Sequence, residues 1–325
     1  MSFSSKTKNE LCRIKSEDKC CMIAELSAII RVSGSVSLKG KNQISLSILT
    51  ENPAIARLVF TLFKKGLRKH TEILVKKSKV FKKINTYIIN IDDAKDNLVT
   101  LGIISFEKGY FEIIHTIQDK IIDKECCKRA YIRGIFLGGG SVSDPEKGYH
   151  LEFVTHSKDF SEDFIKLINE EYDLDAKLIE RKNTHIVYLK EGNQVVDLLN
   201  IIGAHKALLD FENVRIVKQM RNQVNRIVNC ETANLNKTIN AAFRQVKNIE
   251  LIRDRRGLEV LPDSLRELAF IRLENRESNL SEIGNMLSKP LGKSGVNHRF
   301  KKIESIANEI REESVIKMED KCKRV

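Results

Sequence analysis

An internal repeat constrains this chain more than any other feature. The run Cys20-Cys21, then Ile29-Ile30-Arg31-Val32-Ser33-Gly34-Ser35-Val36-Ser37, returns as Cys126-Cys127, then Ile135-Phe136-Leu137-Gly138-Gly139-Gly140-Ser141-Val142-Ser143, at a constant offset of 106 residues. The same offset lays the alternating segment 44–50 on 150–156, and the apolar segment Ala54 to Phe63 on Phe160 to Asn169. Beyond about residue 80 the register is lost, as unequal loops would cause. A duplicated chain folds as two copies of one unit, and each copy must bury the same face.

Each unit reads as helix, hairpin, helix, hairpin, helix. In the first, residues 20–32 are helical, and Ser35 to Leu38 and Gln43 to Leu49 alternate as strands around the turn signal Gly40-Lys41-Asn42. Pro53 suits the first turn of a helix ending near Gly66, with Asn52 or Glu51 as its cap. Glu72 to Val80 and Thr86 to Ile91 pair as strands, and Asp92 caps a helix to Leu101. The second unit repeats this with helix 126–137, strands near 141–143 and 149–155, helix 158–171, strands 176–182 and 184–190, and helix 192–202. The fold class expected is α+β: a duplicated αββαββα domain with one shared core, followed by an all-α domain.

Ile132-Arg133-Gly134-Ile135-Phe136-Leu137-Gly138-Gly139-Gly140 resembles the LAGLIDADG motif of homing endonucleases, and Leu26 to Gly34 a weaker first copy. The resemblance implies two motif helices packed at a pseudo-twofold axis, where small residues permit close backbone approach. Gly134 and Gly138 lie four apart on one helical face, with Ala28 as a counterpart. The eighth motif position would carry the acidic metal ligand, but it holds Ser33 in one copy and Gly139 in the other. Neither can neutralise and position Mg²⁺ for phosphodiester hydrolysis. Asp144 is close in sequence but reads as a turn residue before Pro145. No catalytic residue, cofactor or metal ligand is therefore assigned. The triple glycine reads as helix packing and termination rather than a phosphate cradle, because no GxxxxGK[ST] is present.

The chain's 325 residues allow about two domains, and its four prolines leave long segments free to be helical. Fifty-six basic against 44 acidic residues give a net charge of +12, which favours a polyanionic partner. From Arg215 onward there are 23 basic and 15 acidic residues, so the excess is concentrated there. The absence of Trp and the 6% aromatic content argue against a carbohydrate cleft or a platform of stacked bases. No signal peptide and no membrane-length apolar run is read, which points to a cytoplasmic protein with no membrane partner. Seven cysteines lack any CxxC, and the adjacent pairs Cys20-Cys21 and Cys126-Cys127 read as reduced, buried small side chains rather than a disulfide or zinc site.

Residues 204–256 run in helical periodicity. Arg215, Lys218, Asn222 and Arg226 form a basic stripe, read either as a solvated face or as a phosphate contact; Val217, Val224, Ile227 and Val228 mark an apolar side. Arg253, Arg255 and Arg256 cluster before Gly257, a helix stop. Asp263-Ser264 can cap a helix to about Glu274. Asn279-Leu280-Ser281-Glu282 has capping-box form and opens a short helix through Leu287, with Gly284 permitting close packing. Residues 288–292 are the turn, and Ser294 can cap the final helix, an order that reads as helix-turn-helix. On the last helix Val296, Phe300, Ile303 and Ala307 form the buried stripe. Ser294, His298, Lys301 and Ser305 face outward, flanked by Asn297 and Arg299, with Lys302 at the edge and Lys293 just before. The DNA-contacting set is therefore Lys293, Ser294, Asn297, His298, Arg299, Lys301 and Lys302, with Arg215, Lys218 and Arg226 as a second patch. An ordinary helical hairpin with a basic surface is the alternative for this segment.

Both halves together resemble the WhiA family, which joins a degenerate LAGLIDADG-like domain to a helix-turn-helix domain similar to sigma-factor region 4. The resemblance is carried by Arg221-Asn222-Gln223-Val224-Asn225-Arg226, by Cys230-Glu231-Thr232-Ala233-Asn234-Leu235-Asn236-Lys237-Thr238, and by Lys293-Ser294-Gly295-Val296-Asn297-His298-Arg299. It implies a bacterial DNA-binding regulator linked to cell division, chromosome segregation and, in sporulating actinobacteria, sporulation. The expectation is a non-enzymatic, sequence-specific binder of double-stranded DNA, with another transcription factor or RNA polymerase as a protein partner. Domains are expected at 1–203 (repeats about 20–102 and 126–203), 204–257 (helical connector) and 258–325 (helix-turn-helix). The alternatives are a LAGLIDADG-type endonuclease or RNA maturase with atypical ligands, or a repeat domain that binds a protein while the C-terminal domain tethers it to DNA.

Overall fold

The computed structural model describes residues 1–39, 43–77, 85–107, 110–182 and 184–322. The chain divides into two compact units, Met1–Gln219 and Met220–Val325.

In the first unit, α1 (Phe3–Leu11) opens on a Ser2 cap whose Oγ accepts from Ser5 N at 3.2 Å. Then follow α2 (Lys19–Ser33), β1 (Gly34–Lys39), β2 (Gln43–Thr50), α3 (Pro53–Gly66), β3 (Glu72–Lys77), β4 (Asn85–Ile91) and α4 (Lys95–Thr100). A hairpin of β5 (Ile104–Glu107) and β6 (Tyr110–Ile113) separates the repeats. The second copy is α5 (Glu125–Gly139), β7 (Gly140–Val142), β8 (Leu151–Thr155), α6 (Lys158–Tyr172), β9 (Lys177–Arg181), β10 (Thr184–Leu189) and α7 (Gly192–Ile202). The two four-stranded antiparallel sheets have matching orders, β1-β2-β4-β3 and β7-β8-β10-β9. The α+β duplication is therefore present, and one apolar core runs through both copies.

Several boundaries differ from the sequence reading. The turn 40–42 and the end of the strand read to Val80 fall outside the described residues. Asp92 does not cap α4, which starts at Lys95 after Asp93 turns the chain with φ +50°. The constant offset also fails after the first hairpin. Val36 pairs with Leu46 and Val142 with Leu151, so Leu46 corresponds to Leu151, at an offset of 105. The buried positions Ile55, Ala56, Val59, Leu62 and Phe63 of α3 then match Phe160, Ser161, Phe164, Leu167 and Ile168 of α6. The second hairpin connection is one residue shorter. Because strand side chains alternate faces, an offset of 106 would have put the buried set of β2 on the half-buried residues of β8.

The motif helices α2 and α5 pack as a pair at the centre. A Cβ on Gly134 would stand 2.4 Å from the Glu25 carbonyl oxygen and 2.7 Å from Ala28 Cβ. A Cβ on Gly138 would meet Val32 Cβ at 3.2 Å and the Ile29 oxygen at 3.3 Å. These glycines are what allow the two backbones to approach. Cys20-Cys21 and Cys126-Cys127 occupy the first turns of the same two helices. Cys126 is exposed and Cys20 half-buried, so the reading of all four as buried is corrected.

Helix α8 (His205–Arg256) supplies residues to both units. The second unit continues with α9 (Asp263–Glu274), α10 (Leu280–Met286) and α11 (Lys293–Cys322) around its own apolar core. Among the described residues no helix is long and apolar enough to cross a membrane.

Candidate nucleic-acid interface

The C-terminal unit is held by a few polar devices around an apolar centre. Asn279 Oδ1 accepts from Ser281 N and Glu282 N at 2.9 and 3.0 Å, and Glu282 Oε2 accepts from Asn279 N at 2.9 Å. This reciprocal box satisfies the free amides that open α10. The chain then folds back on Gly284, where a Cβ would lie 2.1 Å from the Leu291 oxygen; Leu291 N donates to the Gly284 carbonyl at 3.1 Å. Glu267 accepts from Ser288 N at 2.6 Å, which joins α9 to the turn and holds this carboxyl below its ordinary range.

Arg272 is buried, and its role was not evident from the sequence. Its Nη1 donates to the Ser278 carbonyl at 2.6 Å and reaches Asn275 O at 3.3 Å, while the guanidinium lies over Phe300, 5.3 Å from the ring centroid. Desolvation pulls its pKa below the ordinary value. In sequence it stands on the buried side of α9, with Leu265, Leu268 and Ala269.

Helix α11 divides as its periodicity predicts. Val296, Phe300, Ile303, Ala307 and Ile310 are buried. Lys293, Ser294, Asn297, His298, Lys301 and Lys302 are exposed. Two details differ. Ser294 does not cap the helix, which begins one residue earlier at Lys293, with Val296 N bonded to the Gly292 carbonyl at 3.1 Å. Arg299 is half-buried and donates to the Ser264 carbonyl at 3.2 Å, so it braces α11 against α9 rather than standing free at the flank. Likewise Asp263 is the first helical residue of α9, with Pro262 in the cap position.

The basic stripe on α8 is not uniform. Arg215 donates to Glu212 Oε1 at 3.0 Å and also to Asn193. Lys218 Nζ donates to the Pro145 and Glu146 carbonyls at 2.8 and 2.7 Å and lies over Tyr149. These two side chains hold structure within the first unit, whereas Asn222 and Arg226 are exposed. The apolar residues Val217, Val224, Ile227 and Val228 are exposed as well, so that face is not part of either core.

At the pseudo-twofold axis, Ser33 Oγ donates to the Ile29 carbonyl of its own helix at 2.8 Å. Gly139 packs where a Cβ would meet Val32 Cγ1 at 2.4 Å and the Val154 oxygen at 2.6 Å. Glu25 is occupied by Arg133. Asp144 makes a turn, its Oδ1 accepting from Glu146 N at 3.0 Å.

A paired-helix LAGLIDADG-like domain followed by a helix-turn-helix domain defines the class of protein. The comparisons agree: residues 19–104 match the WhiA N-terminal LAGLIDADG-like domain, 128–221 the WhiA LAGLIDADG-like domain and 224–307 the WhiA C-terminal HTH domain. The chain is 52% identical over 318 residues to a protein of Alkaliphilus metalliredigens named "Probable cell division protein WhiA", covering 97% of this chain and all of that one. It is 53% identical over 315 residues to the protein of that name from Clostridium botulinum strain Hall, covering 96% and 99%. The crystal structure of full-length WhiA from Thermatoga maritima superposes with a TM-score of 0.60 at 28% identity, covering 95% of this chain and 99% of that one. The chain belongs to the WhiA family.

Proposed function

We propose that this protein is a non-enzymatic, sequence-specific binder of double-stranded DNA that regulates transcription of genes for cell division, chromosome segregation and sporulation. The observation that carries the reading is α11: one face buried, and a continuous donor-rich outer face of Ser294, Asn297, His298, Lys301 and Lys302, on a helix that suits a major groove. Its relatives carry the name "Probable cell division protein WhiA", which supports the cell-division part of the reading. Lys293 and Arg226 add exposed positive charge in the same unit, and the net charge of +12 favours the polyanion. The repeat domain acts as a scaffold or protein-binding module, residues 204–257 connect it to the DNA-binding segment 258–325, and RNA polymerase or another transcription factor is the protein partner. The site of action is the nucleoid, in the cytoplasm.

The non-enzymatic part of the proposal rests on what stands at the motif positions, a self-bonded Ser33 and a glycine, and on the engagement of Glu25 by Arg133. Genome-wide occupancy in the host tests the whole reading. The wild type should occupy discrete sites, and an Asn297→Ala/Lys301→Ala protein should lose them while remaining folded. Incubation with plasmid and Mg²⁺ or Mn²⁺ should leave the DNA intact; nicking that disappears on changing Asp144 or Glu25 would establish the nuclease instead.

A further inference from the structure

The four cysteines of the repeat sit in one place. Cys20 and Cys21 are the second and third residues of α2, and Cys126 and Cys127 are the second and third of α5. The pairing of the motif helices brings these first turns together, and the four Sγ atoms all lie within 4.8 Å of one another. Each pair alone has the wrong spacing for a zinc knuckle, which is why the sequence argued against a metal. Two pairs from two helices make a different object, a four-thiol cluster. We propose that Cys20, Cys21, Cys126 and Cys127 form a tetrathiolate site for a structural zinc ion, which clamps the two repeats at one end of their shared axis.

The geometry suits that ion. Zinc bound by four thiolates at about 2.3 Å requires tetrahedral sulfur–sulfur edges of about 3.8 Å. The four sulfurs, all within 4.8 Å of one another, stand at most about 1 Å beyond that edge. The surroundings also suit thiolates. Helix N-termini carry unpaired amides and partial positive charge, and two of them converge here. Neither Asp18 nor Lys124, the two capping residues, makes a side-chain cap hydrogen bond, although Cys127 N already donates to the Lys124 carbonyl at 2.9 Å. Cys21 and Cys127 are buried, as a closed structural site requires, while Cys126 is exposed and gives the ion a route in. Ligands to zinc bind as thiolates, so loading releases protons: one Zn²⁺ and four thiols give a tetrathiolate of charge −2 and four H⁺. The proposal is independent of the DNA-binding reading.

The test uses the full chain, purified under reductant, stripped with chelator and titrated with zinc alone or cobalt alone. One equivalent of zinc should bind, with a rise in thermal midpoint, and cobalt should give the intense d–d and thiolate charge-transfer bands of a tetrahedral four-sulfur site. Cys126→Ser, at an exposed position, should weaken binding by at least about 100-fold, because loss of a mere outer-shell partner already costs 10–100-fold. Cys126→His should retain one equivalent with a shifted cobalt spectrum, which separates ligation from folding. Cys230→Ser should change nothing. The proposal is overturned if the reduced wild type takes up neither metal, if Cys126→Ser binds like wild type, or if the four sulfurs form disulfides that persist under reductant in excess zinc.

Discussion

Arg133 grips Glu25 with two hydrogen bonds, Nε to Oε1 at 2.9 Å and Nη2 to Oε2 at 3.2 Å, across the interface of the two motif helices. Both side chains are buried, and Ser16 Oγ accepts a further bond from Arg133 Nη2 at 3.2 Å. The carboxylate that an active nuclease could have recruited near the axis is thus committed to holding the repeats together. Glu25→Ala leaves a buried guanidinium unpaired and should cost roughly 3–5 kcal/mol. Glu25→Leu combined with Arg133→Met should recover most of that loss. Urea unfolding of the three proteins checks both expectations.

The glycines between the same helices give a graded test. Gly134→Ala places a methyl against a backbone oxygen 2.4 Å away, whereas Gly138→Ala meets side-chain and backbone atoms at 3.2–3.3 Å. Gly134→Ala should therefore destabilise more, by about 1–3 kcal/mol or beyond, and Gly138→Leu should approach it. Thermal unfolding ranks them; equal stability across all three would refute the tight helix pair.

A half-buried lysine adds a pH dependence. Lys8 donates to the Leu137 carbonyl at 3.3 Å, and burial lowers its pKa to about 8 from an ordinary 10.5. Between those values the unfolded chain holds the proton and the folded one does not, so this group adds stability as pH rises from about 8 to about 10.5. Lys8→Met should remove that rise. The check is the difference in unfolding free energy between the two proteins at pH 7.5 and pH 9.5.

Much of this was legible in the sequence because it depends on local chemistry. The capping box at Asn279 and Glu282, the small residues at Gly134, Gly138 and Ala28, and the buried stripe of α11 each follow from residue type and spacing. What escaped depends on distance in space. The change of offset from 106 to 105 hides in one loop residue, and only strand register exposes it. Arg215 and Lys218 looked like free charges, but their partners Asn193, Pro145 and Glu146 are far off in sequence. Helix α1 and the β5–β6 hairpin lie outside the repeat, so its logic could not predict them. The cysteine quartet needs both helices in place before it exists.

The helix-turn-helix unit depends on its reciprocal cap. Asn279→Ala removes the acceptor for two amides and should cost about 0.5–2 kcal/mol. It should weaken DNA binding only through that loss of stability, so full binding should return at temperatures where the variant is folded. Circular dichroism melts beside binding at two temperatures test this. Arg299→Ala should behave similarly, since that side chain braces α9.

The central claim is that the outer face of α11 reads base edges, and binding titrations on the cognate site and a scrambled duplex at several salt concentrations test it most directly. Asn297→Ala or Lys301→Ala should cost roughly 1–3 kcal/mol on the cognate site and little on the scrambled one. Lys302→Ala should weaken both about equally and lower the salt slope by about one. If every outer-face substitution weakens both duplexes to the same degree, α11 is a phosphate clamp and the account of sequence reading is wrong.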